Sequence, residues 1–412
     1  MKLLYYISIR LYALAIRFVS LWNPKAKQWI EGRKNWQTRL NSAFANKKNI
    51  HWFHCASLGE FEQARPLIEK IKKEVSSASI LVTFFSPSGY RSQKNYELAD
   101  YVCYLPLDTN SNARKFISEL DLAKVYFVKY EVWPCFFQAL KNNNIPFYLI
   151  SATFRESQIY FKPTGKWFKN ILSLATSIFV QDEASKAVLD SHNVEGFVAG
   201  DTRYDRVFAT AQKAIKNPVV DEFCRSKFTL LAGSCWEKEE EIISEAFYGL
   251  SHSFKVVFAP HDISEKHIKG IVNLFQNDTE IIRYSEVKEG VNLRDYDVLI
   301  LDNIGLLSNA YQYGSAAFVG GGFTNALHNI LEPATFGLPV FFGNNHQKFP
   351  EANDMKLNGA GIVVDELVDF QNQLNAMIEN SVELVNQQSK NKEFVESRIG
   401  ATELIFSHTI RS

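Results

Sequence analysis

The chain has 412 residues, 46% hydrophobic and 22% charged, with zero formal net charge, so its length points to two domains and its composition to folding without a disulfide or metal staple. Its five cysteines, Cys55, Cys103, Cys135, Cys224 and Cys235, are odd in number, widely spread and without a C-x-x-C pair. That excludes a disulfide framework and a zinc site and fits a reducing cytosolic setting.

Charge is unevenly spread. Residues 1–50 carry ten Lys or Arg and one acid, Glu31, so the remainder carries an excess of nine acids. Such a segment is expected to meet something anionic. Read as a helix, Met1 to Trp22 places Tyr6, Arg10, Ala13, Arg17 and Ser20 on one narrow face. Leu3, Leu4, Ile7, Leu11, Leu14, Ala15, Phe18 and Leu21 cover most of the rest. Two arginines are costly at a bilayer centre and cheap at its interface, which predicts an amphipathic anchor over residues 1–30 on an anionic membrane surface. A helix packed on the protein's own core and a true span are the competing readings. A signal peptide is disfavoured, because arginines interrupt the apolar region and no small-residue cleavage site follows.

Beyond the anchor, strand-like and helix-like segments alternate, as in a parallel sheet covered by helices. Strands are predicted at 50–55, 80–84, 101–105, 125–128, 147–151, 177–180 and 197–199, then at 228–232, 255–259, 298–301, 316–319 and 339–342. Residues 31–205 and 228–395 form the two predicted domains. A polar linker is expected at 206–227, and a C-terminal helix at 396–412 is expected to pack back on the first domain.

The chemistry-bearing motifs fall at predicted strand ends, where ligands bind in such sheets. Glu60, in Ala56-Ser57-Leu58-Gly59-Glu60, starts a helix and has two readings: half of a capping box with Ser57, or a general base whose ionised form the helix dipole favours. Glu131 lies in Lys129-Tyr130-Glu131-Val132-Trp133-Pro134, where it can orient a sugar while Lys129 counters an anion; a surface ion pair is the alternative. Arg155 can present a guanidinium to an acidic substrate or stand in solvent. In the second half, Gly233 and Ser234 end a strand, where Ser234 either receives a phosphate or caps the next helix, and Pro260-His261 end another. The tract Gly320-Gly321-Gly322 through His328, Asn329 and Glu332 to Pro333 follows an apolar strand and leads into a helix predicted at 330–336. Glycines allow close backbone approach and a helix start favours an anion; with an imidazole, an amide and a carboxylate nearby, the tract suits a phosphate plus a ribose. The simpler reading is a tight turn with Glu332 against the helix dipole.

In this order, with Glu131-Val132-Trp133-Pro134, Ala232-Gly233-Ser234 and His328-Asn329 with Leu331-Glu332-Pro333, the motifs resemble those of the 3-deoxy-D-manno-octulosonic acid (Kdo) transferases of lipopolysaccharide assembly, over roughly residues 30–365. The resemblance implies an α/β GT-B fold, two Rossmann-like domains facing a central cleft, behind the N-terminal membrane-anchor helix. It implies transfer of Kdo from CMP-Kdo to the disaccharide lipid A precursor, lipid IVA, at the cytoplasmic face of the inner membrane. Glu60 would be the base; Lys129, Glu131 and Arg155 would bind acceptor or Kdo. Gly233, Ser234, Pro260, His261, Gly321, Gly322, His328, Asn329 and Glu332 would hold the nucleotide, with Glu332 on the ribose. No metal or cofactor is expected, since no His/Cys cluster occurs and CMP carries a single phosphate. The chain departs from the family pattern at Thr153 and Trp236, where the family has arginine and histidine. It also lacks an arginine before His261 and has Ala326-Leu327 in place of glycines.

Two other readings remain at this level: a GT-B enzyme using a UDP-sugar on another lipid, and a non-catalytic membrane-bound nucleotide-sugar sensor. A nucleic-acid partner is disfavoured, because the basic segment is coupled to an apolar helix rather than to stacking aromatics on a sheet. The number of Kdo units, the acyl pattern and the oligomeric state are not legible.

Overall fold

The computed structural model describes residues 1–411 apart from 226, 252 and 277. One compact unit comprises Met1–Arg206 with the C-terminal stretch from Ile399; the other is Val207–Arg398.

The first unit is built on seven parallel strands: β1 (Ile50–Cys55), β2 (Ser79–Phe84), β3 (Tyr101–Tyr104), β4 (Leu122–Val128), β5 (Phe147–Ala152), β6 (Ser177–Val180) and β7 (Phe197–Val198). Their order is β3-β2-β1-β4-β5-β6-β7. Helices cover both faces, so the strands read as nearly continuous apolar runs. The buried polar exceptions are His51, His54 and Thr83 in β1 and β2 and Ser151 in β5. The C-terminal return is held by Asp205, whose carboxylate accepts from Gly400 N at 2.6 Å and Thr402 N at 2.8 Å, and Ile405 and Phe406 are buried in the same core as Phe61 and Leu67.

The second unit repeats the plan with β8 (Thr229–Cys235), β9 (Lys255–Pro260), β10 (Ile281–Arg283), β11 (Val298–Ile300), β12 (Ala316–Val319), β13 (Val340–Gly343) and β14 (Gly361–Val364), all parallel, in the order β10-β11-β9-β8-β12-β13-β14. Strands β10 and β14 were not expected. They are the sheet's two edges, three and four residues long, and each is partly exposed and interrupted by Arg283 or started by Gly361 rather than being a fully buried apolar run. The segment read as a linker holds two helices, and the second, Pro218–Cys224, buries Val220 and Phe223 in this unit's core.

In both sheets the strand order reverses beside the first strand, between β1 and β4 and between β8 and β12. Such switch points leave a crevice at the strands' carboxyl ends. The two Rossmann-like units are those of the GT-B fold.

The first helix, Lys2–Val19, has no fully buried residue. Tyr5 packs against Trp167 and Phe168 and donates from its hydroxyl to the buried Asp108, while Tyr12 meets Trp29 and Phe85. These contacts turn the opposite side outward: Leu3 is 71% exposed, Phe18 65% and Leu21 77%, with Leu4, Ile7, Leu11 and Leu14 also exposed. The helix is thus docked along one side and unpartnered on the other. No helix among the described residues is long and apolar enough to cross a membrane.

Candidate active site

At the β1/β4 switch point the first unit gathers two carboxylates and a lysine. The helix Leu58–Glu74 starts directly after β1, and Glu60 in its first turn is 8% exposed. Its carboxylate accepts the backbone N–H of Ala56, while the side chain of Ser57 makes no cap. The capping box is therefore half formed: Glu60 reaches back to the turn, but Ser57 does not reciprocate. Burial raises the proton affinity of Glu60 above the usual carboxylate range, against the Ala56 N–H and the Lys129 charge.

Lys129 follows β4 with a φ of 60°, the left-handed region. A non-glycine residue there costs roughly 1–3 kcal/mol and persists only where its surroundings impose it. Next to it, Glu131 accepts Trp133 Nε1–H at 3.1 Å. Burial first, and then the charge of Glu60, push its acid group up to about 8, opposed by Trp133 and Lys129. The raised proton affinity of both carboxyls marks a partly desolvated pair rather than a solvated surface ion pair. The loop is braced from behind: the helix Pro134–Asn142 starts after Trp133, and its Cys135 and Phe136 amides both donate to Asp108 at 3.2 Å. Burial pushes Asp108 up to about 6. Arg155 follows β5 on an exposed turn, and the structure gives its guanidinium no contact with the carboxylate pair.

At the β8/β12 switch point the second unit gathers the other predicted residues, with several local corrections. Ser234 is not a helix cap: β8 continues to Cys235, Ser234 is bulged out at a φ of 53°, and the next helix, Glu237–Gly249, starts after Trp236. Gly233 leaves room for the Tyr311 hydroxyl, 2.0 Å from where a Cβ would stand. Pro260 closes β9, and His261 stacks on Trp236 with centroids 4.2 Å apart and meets His328 at 4.8 Å. Burial lowers the proton affinity of His328, whose Nε2, like Trp236 Nε1, is buried without a partner.

The glycines are placed differently from a free phosphate cradle. Gly321 N–H donates at 2.9 Å to the fully buried Glu239, 82 positions earlier, and a side chain at Gly322 would strike the backbone of Gly343 at 2.3 Å. These glycines serve close packing and a carboxylate clasp, so Gly321 offers no unpaired N–H. The helix after the tract is a short Leu331–Thr335, one turn or so, not an extended anion site. Glu332 accepts Ser308 Oγ–H at 2.7 Å and Asn329 Nδ2–H at 3.0 Å, so its two oxygens are held in place.

Sequence reasoning missed Glu239, Ser308 and His54, and left Trp133 and Trp236 without roles. A polar residue inside the apolar run of β1 was a signal for His54; the other partners lie too far along the chain to have given one. Among the described residues, no three His, Cys, Asp or Glu side chains gather as metal ligands.

Comparison with known proteins adds to this geometry. A family model described as 3-Deoxy-D-manno-octulosonic-acid transferase (kdotransferase) matches residues 34–206. A bifunctional glycosyltransferase/methyltransferase of Fusobacterium nucleatum is 23% identical over 403 residues, 94% of this chain but only 61% of that protein's length. A 3-deoxy-D-manno-octulosonic acid transferase of Aquifex aeolicus is 28% identical over 351 residues, 81% of this chain and 87% of that one. Among solved structures, UDP-GlcNAc 2-epimerase from Neisseria meningitidis bound to UDP-GlcNAc superposes with a TM-score of 0.61 at 16% identity over 89% of this chain and all of that one, a likeness of fold alone.

Proposed function

We propose that the chain is a 3-deoxy-D-manno-octulosonic acid transferase, in keeping with the family model over residues 34–206 and the 28% identical Aquifex aeolicus protein, and that it transfers Kdo from CMP-Kdo to the lipid A precursor lipid IVA by inverting, metal-independent displacement. Glu60 takes the proton of the acceptor hydroxyl as that oxygen bonds to the anomeric carbon of Kdo. The bond from that carbon to the CMP phosphate oxygen breaks, and its electron pair leaves with CMP. The observation that carries this reading is the pair of carboxylates with raised proton affinity, Glu60 and Glu131, at the β1/β4 switch point. A base of raised proton affinity is matched to a sugar hydroxyl better than an ordinary carboxylate is. Lys129 and Arg155 supply positive charge for Kdo or a phosphorylated acceptor.

In the second unit, His261, His328, Asn329 and Glu332, with Ser234, are the donor's contacts. Glu332, already oriented by Ser308 and Asn329, is suited to accept from ribose hydroxyls. The outward apolar side of the helix Lys2–Val19, beside a basic flank, supports a peripheral site on the cytoplasmic face of the inner membrane, where a lipid acceptor is found.

Radiolabelled Kdo transfer from CMP-Kdo to tetra-acylated lipid A precursor, with wild type beside Glu60→Ala and CMP binding measured for both, tests the reading. Product from wild type alone, with CMP bound by both, is expected. A folded wild type that makes no product and binds UDP instead of CMP defeats it. Deleting residues 1–22 is expected to abolish membrane pelleting; unchanged pelleting would reject the anchor.

A further inference from the structure

The helix Lys2–Val19 and the loop that carries Glu131 are built onto the same groups. That loop, 129–133, lies between β4 and the helix Pro134–Asn142. Trp133 stands at the cap position of this helix and makes no side-chain cap, so its first amides need an acceptor from elsewhere. Asp108 supplies it from 27 and 28 positions away. Its fully buried carboxylate accepts Cys135 N–H on Oδ2 and Phe136 N–H on Oδ1, both at 3.2 Å. The Asp108 carbonyl also accepts the Cys135 thiol at 3.4 Å. A further donor to the carboxylate is Tyr5, whose hydroxyl shares Oδ2 with the Cys135 amide. One oxygen therefore seats both the N-terminal helix and the start of the helix behind Glu131.

Two routes through rings run from the same helix to the loop itself. The Tyr5 ring meets Phe168 edge-on at 5.8 Å between centroids, Phe168 meets Tyr160 at 6.5 Å, and the Tyr160 hydroxyl donates to the Tyr130 carbonyl at 3.1 Å. Tyr12 stacks on Phe85 at 6.2 Å, Phe85 meets Trp133 at 5.4 Å, and the Trp133 indole N–H donates to the Glu131 carboxylate. The routes thus end on the residue before Glu131, on Glu131 itself and on the helix start after it. Lys129, held at a left-handed φ, needs such an enclosure to keep its conformation.

We propose that Tyr5 and Asp108 are positioning residues for the transfer reaction: the amphipathic helix is part of the frame that holds the Glu131 loop, so its seating governs turnover as well as attachment to a membrane surface. Close-packed rings and buried hydrogen bonds yield little, which lets a contact at the helix fix the loop. Without the Tyr5 hydroxyl, Oδ2 keeps the Cys135 amide at 3.2 Å, the long end of the N–H···O range. A misplacement of about 1 Å at a reacting group costs roughly 10²-fold in rate, so a slightly looser loop registers in turnover.

The inference rests on the proposed transfer for its kinetic readout, whereas amide exchange reads the frame without it. Tyr5→Phe keeps the ring and removes the hydroxyl; Asp108→Asn keeps the shape and weakens the acceptor. In Tyr5→Phe, kcat is expected to fall about threefold, with KM for CMP-Kdo and membrane pelleting unchanged and with faster exchange in 130–137 as well as in 2–19. Asp108→Asn is expected to lower kcat about tenfold, and the double variant to be no worse than Asp108→Asn, because the Tyr5 hydroxyl acts through that carboxylate. A Tyr5→Phe protein whose exchange rises in 2–19 alone, with 130–137 and kcat as in wild type, overturns the proposal. So does a double variant in which the two losses multiply. A wild type that transfers nothing rejects the reaction alone, since exchange in 130–137 still reports whether the helix holds the loop.

Discussion

The two units share a plan of seven parallel strands but keep their polar groups in opposite states at the switch points. In the first, Glu60 and Glu131 are held in protein with too little compensation, and the cost appears as raised proton affinity. In the second, Glu239 is clasped by Gly321 N–H and Trp236 N–H and Glu332 by Ser308 and Asn329, while burial raises the proton affinity of the neighbouring Glu240, which is held by His267. An unbalanced pair can move a proton, whereas a balanced set holds a shape. Under the proposed function, the contrast places reaction in one half of the chain and recognition in the other.

The largest test of that division is Glu60→Gln. Loss of a general base costs roughly 10²–10⁴-fold in kcat, and CMP affinity, which belongs to the other unit, is expected to stay within error in calorimetry. Equal loss of CMP binding would break the division. Next is pH. A carboxyl whose folded proton affinity is raised stabilises the fold fully below its unfolded value, near 4.5, and loses that contribution as pH rises through about 8. Protection of β1 and β4 in hydrogen exchange is therefore expected to decline from pH 5 to 8, and Glu131→Gln to flatten the decline, with β8 and β12 unaffected.

Glu239→Ala probes the balanced side. It leaves the Gly321 amide buried without an acceptor, at a cost of about 1–3 kcal/mol. Faster exchange of the 320–329 loop and weaker CMP binding are expected, with unchanged turnover at saturating donor. The smallest effect is expected from Tyr5→Phe. Removing one hydrogen bond to the buried Asp108 costs about 1–2 kcal/mol locally and loosens the docked helix, visible as exchange in residues 2–19, while the outward apolar side and membrane pelleting persist.

Much of this was legible before any coordinates. The run Ala316–Val319 reads as a buried strand because four apolar residues in a row suit a parallel sheet, and it is β12. The motifs read at strand ends occur there: Glu60 starts the helix after β1, and Lys129 and Glu131 follow β4. Such inferences succeed because turn chemistry, periodicity and first-turn carboxylates are local, decided within a few residues.

The sequence by itself thus determined every strand but the two edges β10 and β14, where the polar motifs sit along them, and which helix is amphipathic. Tertiary structure alone decided what each motif touches: that Gly321 serves Glu239 rather than an open cradle, that Ser234 bulges instead of capping, and that the first helix sets Tyr5 and Tyr12 against aromatic neighbours while exposing its leucines. It also decided that Glu131 lies near Glu60 and His54, residues more than 70 positions earlier. The physical reason is range. A polar atom's partner and a carboxylate's proton affinity depend on burial and on charges a few ångströms away in space, and neighbours in space at a switch point are strangers in the chain.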